Sequence, residues 1–346
     1  MVFNLIQNSF GLDISEKFWR AVQIKKSGNK FKVVSFAELD IPEGIIKDGK
    51  FVKEKEAIEL FKKLLDSAEK KISSRYTSVC LPEPKTFIKV INITYPKSKN
   101  IMAEVIEESK KHIPYPLEKI YLDWQFVNEK DKSKIIVGVC PKDIIDNFQS
   151  FLKKVNLMPV VLEIESMSIA RSLFPLTKPV ESPVMVVDFG VSRTGIFVYE
   201  KDFIPFSLSL GISSEDLTGH LMAKLKLKYD QAEEAKIKLG LDQARALGGL
   251  RKVLSEPLKK LAEEIRQAKY FYYEHFSNNQ KITKVYLTSG GANLKGLTDF
   301  LANYLNLDVE LANPLTNLID RGVIPENKLQ SCATAIGLAL RQYIDL

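Results

Sequence analysis

Two aspartates occupy matched places in two similar stretches. Asp13 closes a β-like run in GLDISEKF and Asp188 closes one in VMVVDFGVSRTG; in each, a short turn leads straight into a second β-like run. A carboxylate beside turn amides suits phosphate and metal chemistry, because such amides cradle phosphate oxygens. Two carboxylates on opposite walls repel unless a cation lies between them. Mg2+ suits that place, since it keeps its waters and needs only one or two carboxylates. The plain alternative is two unrelated turns, where Asp is common anyway. The Asp-Phe-Gly triplet does not mark a protein kinase, because no Gly-rich loop, strand lysine or HRD-like loop precedes it.

Two further stretches carry possible chemistry. In LTSGGANLKGL (287–297), Gly290 and Gly291 lack a Cβ, so backbone there can approach a purine ring or a phosphate; a simple strand-to-helix turn would read the same way. In DQAEEAKIKLG (230–240), Glu233 and Lys236 stand one helical turn apart. That pair could reach a ribose, or be an exposed ion pair worth a few tenths of a kcal/mol.

The elements that must position these residues form a duplicated unit. FGLDI (10–14), RAVQIKK (20–26) and FKVVSFAEL (31–39) read as strands, with KSGNK as a hairpin turn. A helix over 54–71 follows, with Ala57, Ile58, Leu60, Phe61, Leu64, Leu65 and Ala68 on its apolar face, and YTSVCL (76–81) is a strand. The second half repeats the order: strands 184–189, 194–200 and 202–210, a helix over 214–225, and a strand at 284–289. Both halves are βββαβ. Between them lie strand 85–93, helix 98–112, strands 120–128 and 133–140, and helix 143–155.

Composition excludes several classes. A chain of 346 residues is too long for one ordinary core. Cys80, Cys140 and Cys332 are isolated from one another and from the histidines, so neither a disulfide framework nor a metal-ligand spacing is expected, and a reducing cytosol is the default. The opening MVFNLIQNSFGLDIS has no basic leader before an apolar run, and no stretch approaches the ~20 apolar residues of a membrane span. The net charge of +7 is spread along the chain. Its densest patch, KLKLKY (224–229), has no aromatic stacking set and reads as a solvated face, not a nucleic-acid site.

Together LDIS, VVDFGVSRT, AEEAK and LTSGGANLKGL resemble the nucleotide-binding motifs of the actin-like ATPase superfamily. The insertion after the first βββαβ unit resembles that of the FtsA and PilM branch. IPEGIIKDGKFVKEKEAI (41–58) and EESKKHIPYPLEKIYLDWQFV (107–127) are similar to PilM-family segments. The expected fold class is therefore α/β: two ribonuclease H-like βββαβ domains flanking a nucleotide cleft, with an α+β 1C insertion. The resemblance divides the chain into 1A (1–84), 1C (85–160), a connecting helix returning to 1A (161–180), 2A (181–225), 2B (226–283), 2A again (284–328) and a C-terminal connecting helix (329–346).

The resemblance also implies roles. ATP or ADP with Mg2+ would sit in the cleft, the metal held by Asp13 and Asp188. Ser15, Lys17, Gly190 and Ser192 would contact phosphates, with Arg193 and Thr194 supporting the second loop. Glu233 and Lys236 would meet ribose, and Gly290, Gly291 and Asn293 the adenine side. Glu165, opening the first connecting helix, is the candidate to orient an attacking water, although an acidic residue there also suits the helix dipole.

The first loop departs from the pattern, having SEKFWR (15–20) where small residues are usual; nucleotide binding is expected with slow or absent hydrolysis. The implied partner is the N-terminal cytoplasmic peptide of a PilN-like inner-membrane protein, lying between 1A and 1C. The protein itself would be cytoplasmic, held at the inner face of the membrane through that partner and without inserting, and capable of self-association. An FtsA-like division protein usually continues into a basic amphipathic anchor, for which a chain ending RQYIDL leaves no room. A nucleotide-silent scaffold of the same fold is also compatible with the bulky first loop. A sugar- or acetate-kinase-like enzyme would use the same cleft, but the 1C-like insertion opposes it.

Overall fold

Each half of the chain builds a five-stranded sheet of the same order, and the cleft lies between the two. The computed structural model describes residues 8–28, 30–93, 101–127, 132–242, 249–276, 280–319 and 322–344. In the first half, β1 (Phe10–Ile14), β2 (Phe18–Ser27) and β3 (Lys30–Asp40) are antiparallel neighbours. A small ribbon of β4 (Ile46–Lys47) and β5 (Lys50–Phe51) leads into α1 (Glu54–Asp66). Then β6 (Tyr76–Leu81) pairs in parallel with β1.

An insertion follows: β7 (Phe87–Asn92), α2 (Ile101–Ser109), β8 (Ile120–Phe126), β9 (Lys134–Pro141) and α3 (Lys142–Lys154). Its strands form an antiparallel sheet of order β7-β9-β8. The chain returns through β10 (Met158–Ile164), parallel to β6, and enters α4 (Glu165–Leu173).

The second half runs β11 (Val184–Phe189), β12 (Thr194–Tyr199), β13 (Ser207–Leu210), then α5 (Ser214–Leu225), α6 (Tyr229–Leu239) and α7 (Gly249–His275). It ends with β14 (Lys284–Thr288), α8 (Leu297–Leu305), β15 (Asp308–Leu311), β16 (Leu318–Ile319) and α9 (Ala333–Leu340). The sheets read β10-β6-β1-β2-β3 and β15-β14-β11-β12-β13, with β16 added beside β3. The duplication expected from the sequence is thus present, and each unit carries a fifth strand, β10 or β15, beyond the expected four.

Two elements depart from the sequence expectation, and parts of three others lie outside the described residues. The helix expected to Lys71 stops at Asp66, where the Ser67 hydroxyl donates to the Leu64 carbonyl at 2.7 Å and competes with the helical ladder. The strand expected over 202–210 begins only at Ser207, because Lys201 and Asp202 take positive φ (46° and 71°) and Pro205 has no N–H to give. Of the expected helix 98–112, residues 98–100 lie outside the described residues, as do Asn128 of the strand 120–128 and Asn29 of the KSGNK turn.

Packing explains how the first loop is aimed. Trp19 and Phe18 are neighbours on β2 and so point to opposite faces. Trp19 is fully buried, edge-on to Phe51 and Phe151, and its indole N–H donates to the Ser15 carbonyl at 3.0 Å. Phe18 faces the cleft, with the Arg20 guanidinium 5.0 Å from its ring centre. Beneath β1, α9 crosses α4 closely. A Cβ on Gly337 would lie 1.7 Å from the Ser168 carbonyl, and one on Gly11 would lie 2.1 Å from that of Ala335. Glycine is what lets these backbones meet.

Candidate functional site

The cleft between the units has a volume of about 850 Å³. Asp13, Ser15, Lys17, Glu165, Asp188, Gly190, Ser192, Arg193, Glu233, Lys236, Gly290, Gly291 and Asn293 all line it. Thr194 does not: it is fully buried, and its hydroxyl donates to the Ile212 carbonyl at 2.6 Å, tying β12 to the loop before α5. The two matched sheets bring together residues from distant parts of the chain, because the turns of both first hairpins line the one cleft.

The first turn is closed on itself. The Ser15 amide donates to the Phe18 carbonyl at 3.1 Å, and its hydroxyl donates to the same oxygen at 2.8 Å. Lys17 reaches across to Glu215 at the start of α5, with Nζ to Oε1 at 3.0 Å. In the second turn, the Gly190 amide is held by the carbonyls of Asp188 and Arg193, at 3.1 and 3.0 Å. The N-terminus of α5 packs onto this turn: the Ser214 and Glu215 amides donate to the Gly190 and Val191 carbonyls, each at 3.0 Å.

Lys236 is only 5% exposed, so the Glu233–Lys236 pair is not an exposed ion pair. Its ammonium donates to the Ser214 carbonyl and hydroxyl, both at 2.9 Å, and to the Thr218 hydroxyl at 2.8 Å, with Glu233 Oε2 also at 2.8 Å. Burial holds its pKa below the ordinary lysine value, and Glu233 opposes that. Gly291 and Gly290 play different parts. A Cβ on Gly291 would come 2.6 Å from Phe189, whereas one on Gly290 would meet nothing nearer than Ser331 Oγ at 3.8 Å. Gly291 is therefore required by packing, and Gly290 is the residue whose missing side chain leaves the cleft open.

The acidic base of the cleft holds residues that the sequence did not mark. Glu83, on the turn after β6, is buried and pairs with Arg193. Arg193 also pairs with Glu165 and lies 3.8 Å from Asp188. Glu165 accepts a second hydrogen bond from the Thr334 hydroxyl at 3.2 Å, which ties α4 to α9. Asp13 stands slightly apart, 3.6 Å from Arg20, which also binds Glu38 at 2.6 Å; Glu38 in turn pairs with Lys328 at 2.5 Å. Burial pushes Asp188 up to about 7, and raises Asp13 and Glu83 as well. Glu83 sits in LPEPK, which looks like a plain loop, so nothing local marked it. Arg20 was legible only through strand alternation: it lies two residues from Phe18 and so on the same face.

The donor set fits a hard divalent cation. Oxygens of Glu83, Glu165 and Asp188 lie within 4.8 Å of one another, and Asp188 Oδ1 is buried with no hydrogen-bond partner. Carboxylate oxygens in this number would hold Mg2+ through some of its waters.

Two duplicated sheets, each with its first hairpin aimed at a shared cleft, and two crossing helices between them define an actin-like ATPase fold. Known structures agree. A type IV pilus biogenesis complex of PilM and PilN superimposes with a TM-score of 0.82 at 22% identity, over 97% of this chain and 99% of that one. The ethanolamine utilization protein EutJ from Carboxydothermus hydrogenoformans gives 0.57 at 17% identity, over 96% and 89%. MreB5 of Spiroplasma citri bound to AMPPNP gives 0.54 at 10% identity, over 96% and 95%. The sequence profile of the type IV pilus assembly protein PilM matches residues 11–343. The chain belongs to the PilM family.

Proposed function

We propose that this protein binds ATP or ADP in the cleft and serves the assembly platform of a type IV pilus by docking the cytoplasmic tail of a PilN-like membrane protein. The observation that carries the nucleotide reading is the convergence of Asp13, Asp188, the Glu233–Lys236 pair and Gly290 on one cavity of about 850 Å³. That is ample for a small-molecule ligand. Phosphates would lie against the two turns, with Lys17 of the first turn beside them. Ribose would lie by Glu233 and Lys236, and the base against Gly290 and Asn293. Mg2+, when bound, would neutralise phosphate charge and draw on Asp188 and its acidic neighbours. Slow or absent hydrolysis is supported by Glu165, the residue proposed to orient water, being engaged by Arg193 and Thr334.

The tail reading is supported by a second cavity, about 620 Å³, where the insertion, the first unit and the β12 end of the second unit meet. Ile88, Trp124, Ile164, Met167, Phe174 and Tyr199 make its apolar lining, the kind of groove that accepts an extended peptide. One known structure of similar fold is a PilM–PilN type IV pilus biogenesis complex. No helix among the described residues is long and apolar enough to cross a membrane, which is consistent with attachment through the partner.

Thermal denaturation tests the first half. ATP at one hundred times its dissociation constant should stabilise the protein by about 2.7 kcal/mol. No shift with ATP or ADP would end the nucleotide reading. For the second half, a synthetic PilN-like N-terminal peptide should bind the wild type and lose at least about tenfold in affinity to Trp124→Ala, as truncation of a buried aromatic anchor does. An unchanged affinity would remove the groove from the proposal.

A further inference from the structure

The base of the cleft holds more acid than base. Asp13, Glu38, Glu83, Glu165 and Asp188 meet only Arg20, Arg193 and Lys328 there, among the described residues. We propose that Glu83, Glu165 and Asp188 form a divalent-cation site whose resident cation is the Arg193 guanidinium, so that a metal ion and Arg193 exclude one another.

Three observations converge. Arg193 touches Glu83 and Glu165 and lies 3.8 Å from Asp188, the same three carboxylates whose oxygens lie within 4.8 Å of one another. A guanidinium is a planar fork suited to carboxylates, but it does not satisfy every oxygen here. Asp188, 3% exposed, keeps Oδ1 without a hydrogen-bond partner, an acceptor that a small cation would take up and the guanidinium leaves alone. The meeting of Glu83 with Arg193 is built into the sheet. A Cβ on Gly195 would lie 2.8 Å from Glu83 Oε2 and 3.3 Å from a terminal nitrogen of Arg193, so a side chain on this β12 residue would separate them.

Exclusion follows from charge and space together. A divalent ion among these oxygens would sit within a few ångströms of the guanidinium, where the two positive charges repel with little solvent to screen them. Arg193 must swing out for the ion to enter, and Glu83, its partner from the far side of the cleft, is released at the same time. Arg193 thereby sets the threshold for metal loading, while Glu83 is a metal ligand that the two hairpin aspartates do not foretell.

The inference deepens the nucleotide reading, and its test is run without nucleotide so that the two can fail separately. Mn2+ is titrated into nucleotide-stripped full-length protein, and free Mn2+ is followed by electron paramagnetic resonance. Arg193→Met should bind Mn2+ at least about tenfold more tightly than wild type, because a buried opposing charge is gone, and adding Glu83→Gln should abolish the gain. Equal affinity in wild type and Arg193→Met, or a gain that survives Glu83→Gln, overturns the proposal. If Arg193→Met does not fold, wild-type crystals grown in Mn2+ answer the same question. An anomalous peak bound to Glu83 and Asp188 with Arg193 turned away supports exclusion; a peak beside an unmoved Arg193, or none at this place, overturns it. The ATP thermal shift of the wild type reports on the nucleotide reading whichever way the Mn2+ result falls.

Discussion

Lys17 and Glu215 join the two units at the cleft mouth: Nζ of the first hairpin turn lies 3.0 Å from Oε1 at the start of α5. Both side chains are about one-third exposed, 34% and 35%, so solvent screens the pair and its contribution to folding is small, about 0.2–1 kcal/mol. Its effect belongs to opening instead. Lys17→Met should leave the melting temperature almost unchanged while hydrogen exchange speeds up in the 15–18 turn and at the start of α5. Unchanged exchange would show that the pair holds nothing shut.

The two glycines after β14 should separate stability from binding. Gly291→Ala drives a methyl against Phe189 at 2.6 Å and should cost about 1–3 kcal/mol in denaturant unfolding. Gly290→Ala meets only Ser331 Oγ at 3.8 Å and should fold normally, yet weaken ATP in a binding titration. The reverse pattern would misplace the cleft.

Glu38 gives an acid-sensitive contribution to stability. Burial raises its pKa, but Arg20 and Lys328 outweigh that and hold it below the ordinary glutamate value. A depressed folded pKa means the unfolded chain binds the proton more readily. The contribution is therefore present above the unfolded value of about 4.3 and is lost as pH falls through the folded one. Glu38→Gln should be less stable than wild type at about pH 7, and the two should converge below about pH 4 in urea unfolding.

Cys80, Cys140 and Cys332 are buried and free. Burial pushes the thiols of Cys140 and Cys332 up to about 12 and raises Cys80 well above its ordinary value. The thiolate is the reactive form, so the folded protein should resist an aromatic disulfide reagent at about pH 8 and react fully once unfolded. Prompt labelling of the native protein would contradict the burial.

Much of the fold was legible because its signals are local. Strand alternation and turn residues marked both βββαβ units, and the paired Asp turns marked the cleft. The fifth strands were not: in β10, MPVVLEI runs straight into α4 with no turn between them, and DVEL in β15 is only four residues long. Bulk at Phe18 and Trp19 looked like an obstacle in the first loop, yet only Phe18 faces the cleft, because strand geometry sends Trp19 into the core. Glu83 was invisible for a different reason. Its role depends on Arg193, 110 residues away, and no short-range pattern records a partner at that distance.

The edge of the insertion is stitched to the second unit. The Val90 amide of β7 donates to the Pro205 carbonyl at 2.8 Å, and Lys89 bridges to Phe206. The apolar groove thus has one wall, through Tyr199, on the half of the molecule that also carries Asp188, and another, through Ile88, on the inserted sheet. Any hinge movement that widens the cleft must also shear this seam. By thermodynamic reciprocity, whatever factor a nucleotide imposes on tail affinity, an anchored tail returns to the nucleotide. A membrane tether clasped at this seam would act as an effector of the cleft without contacting any residue that lines it.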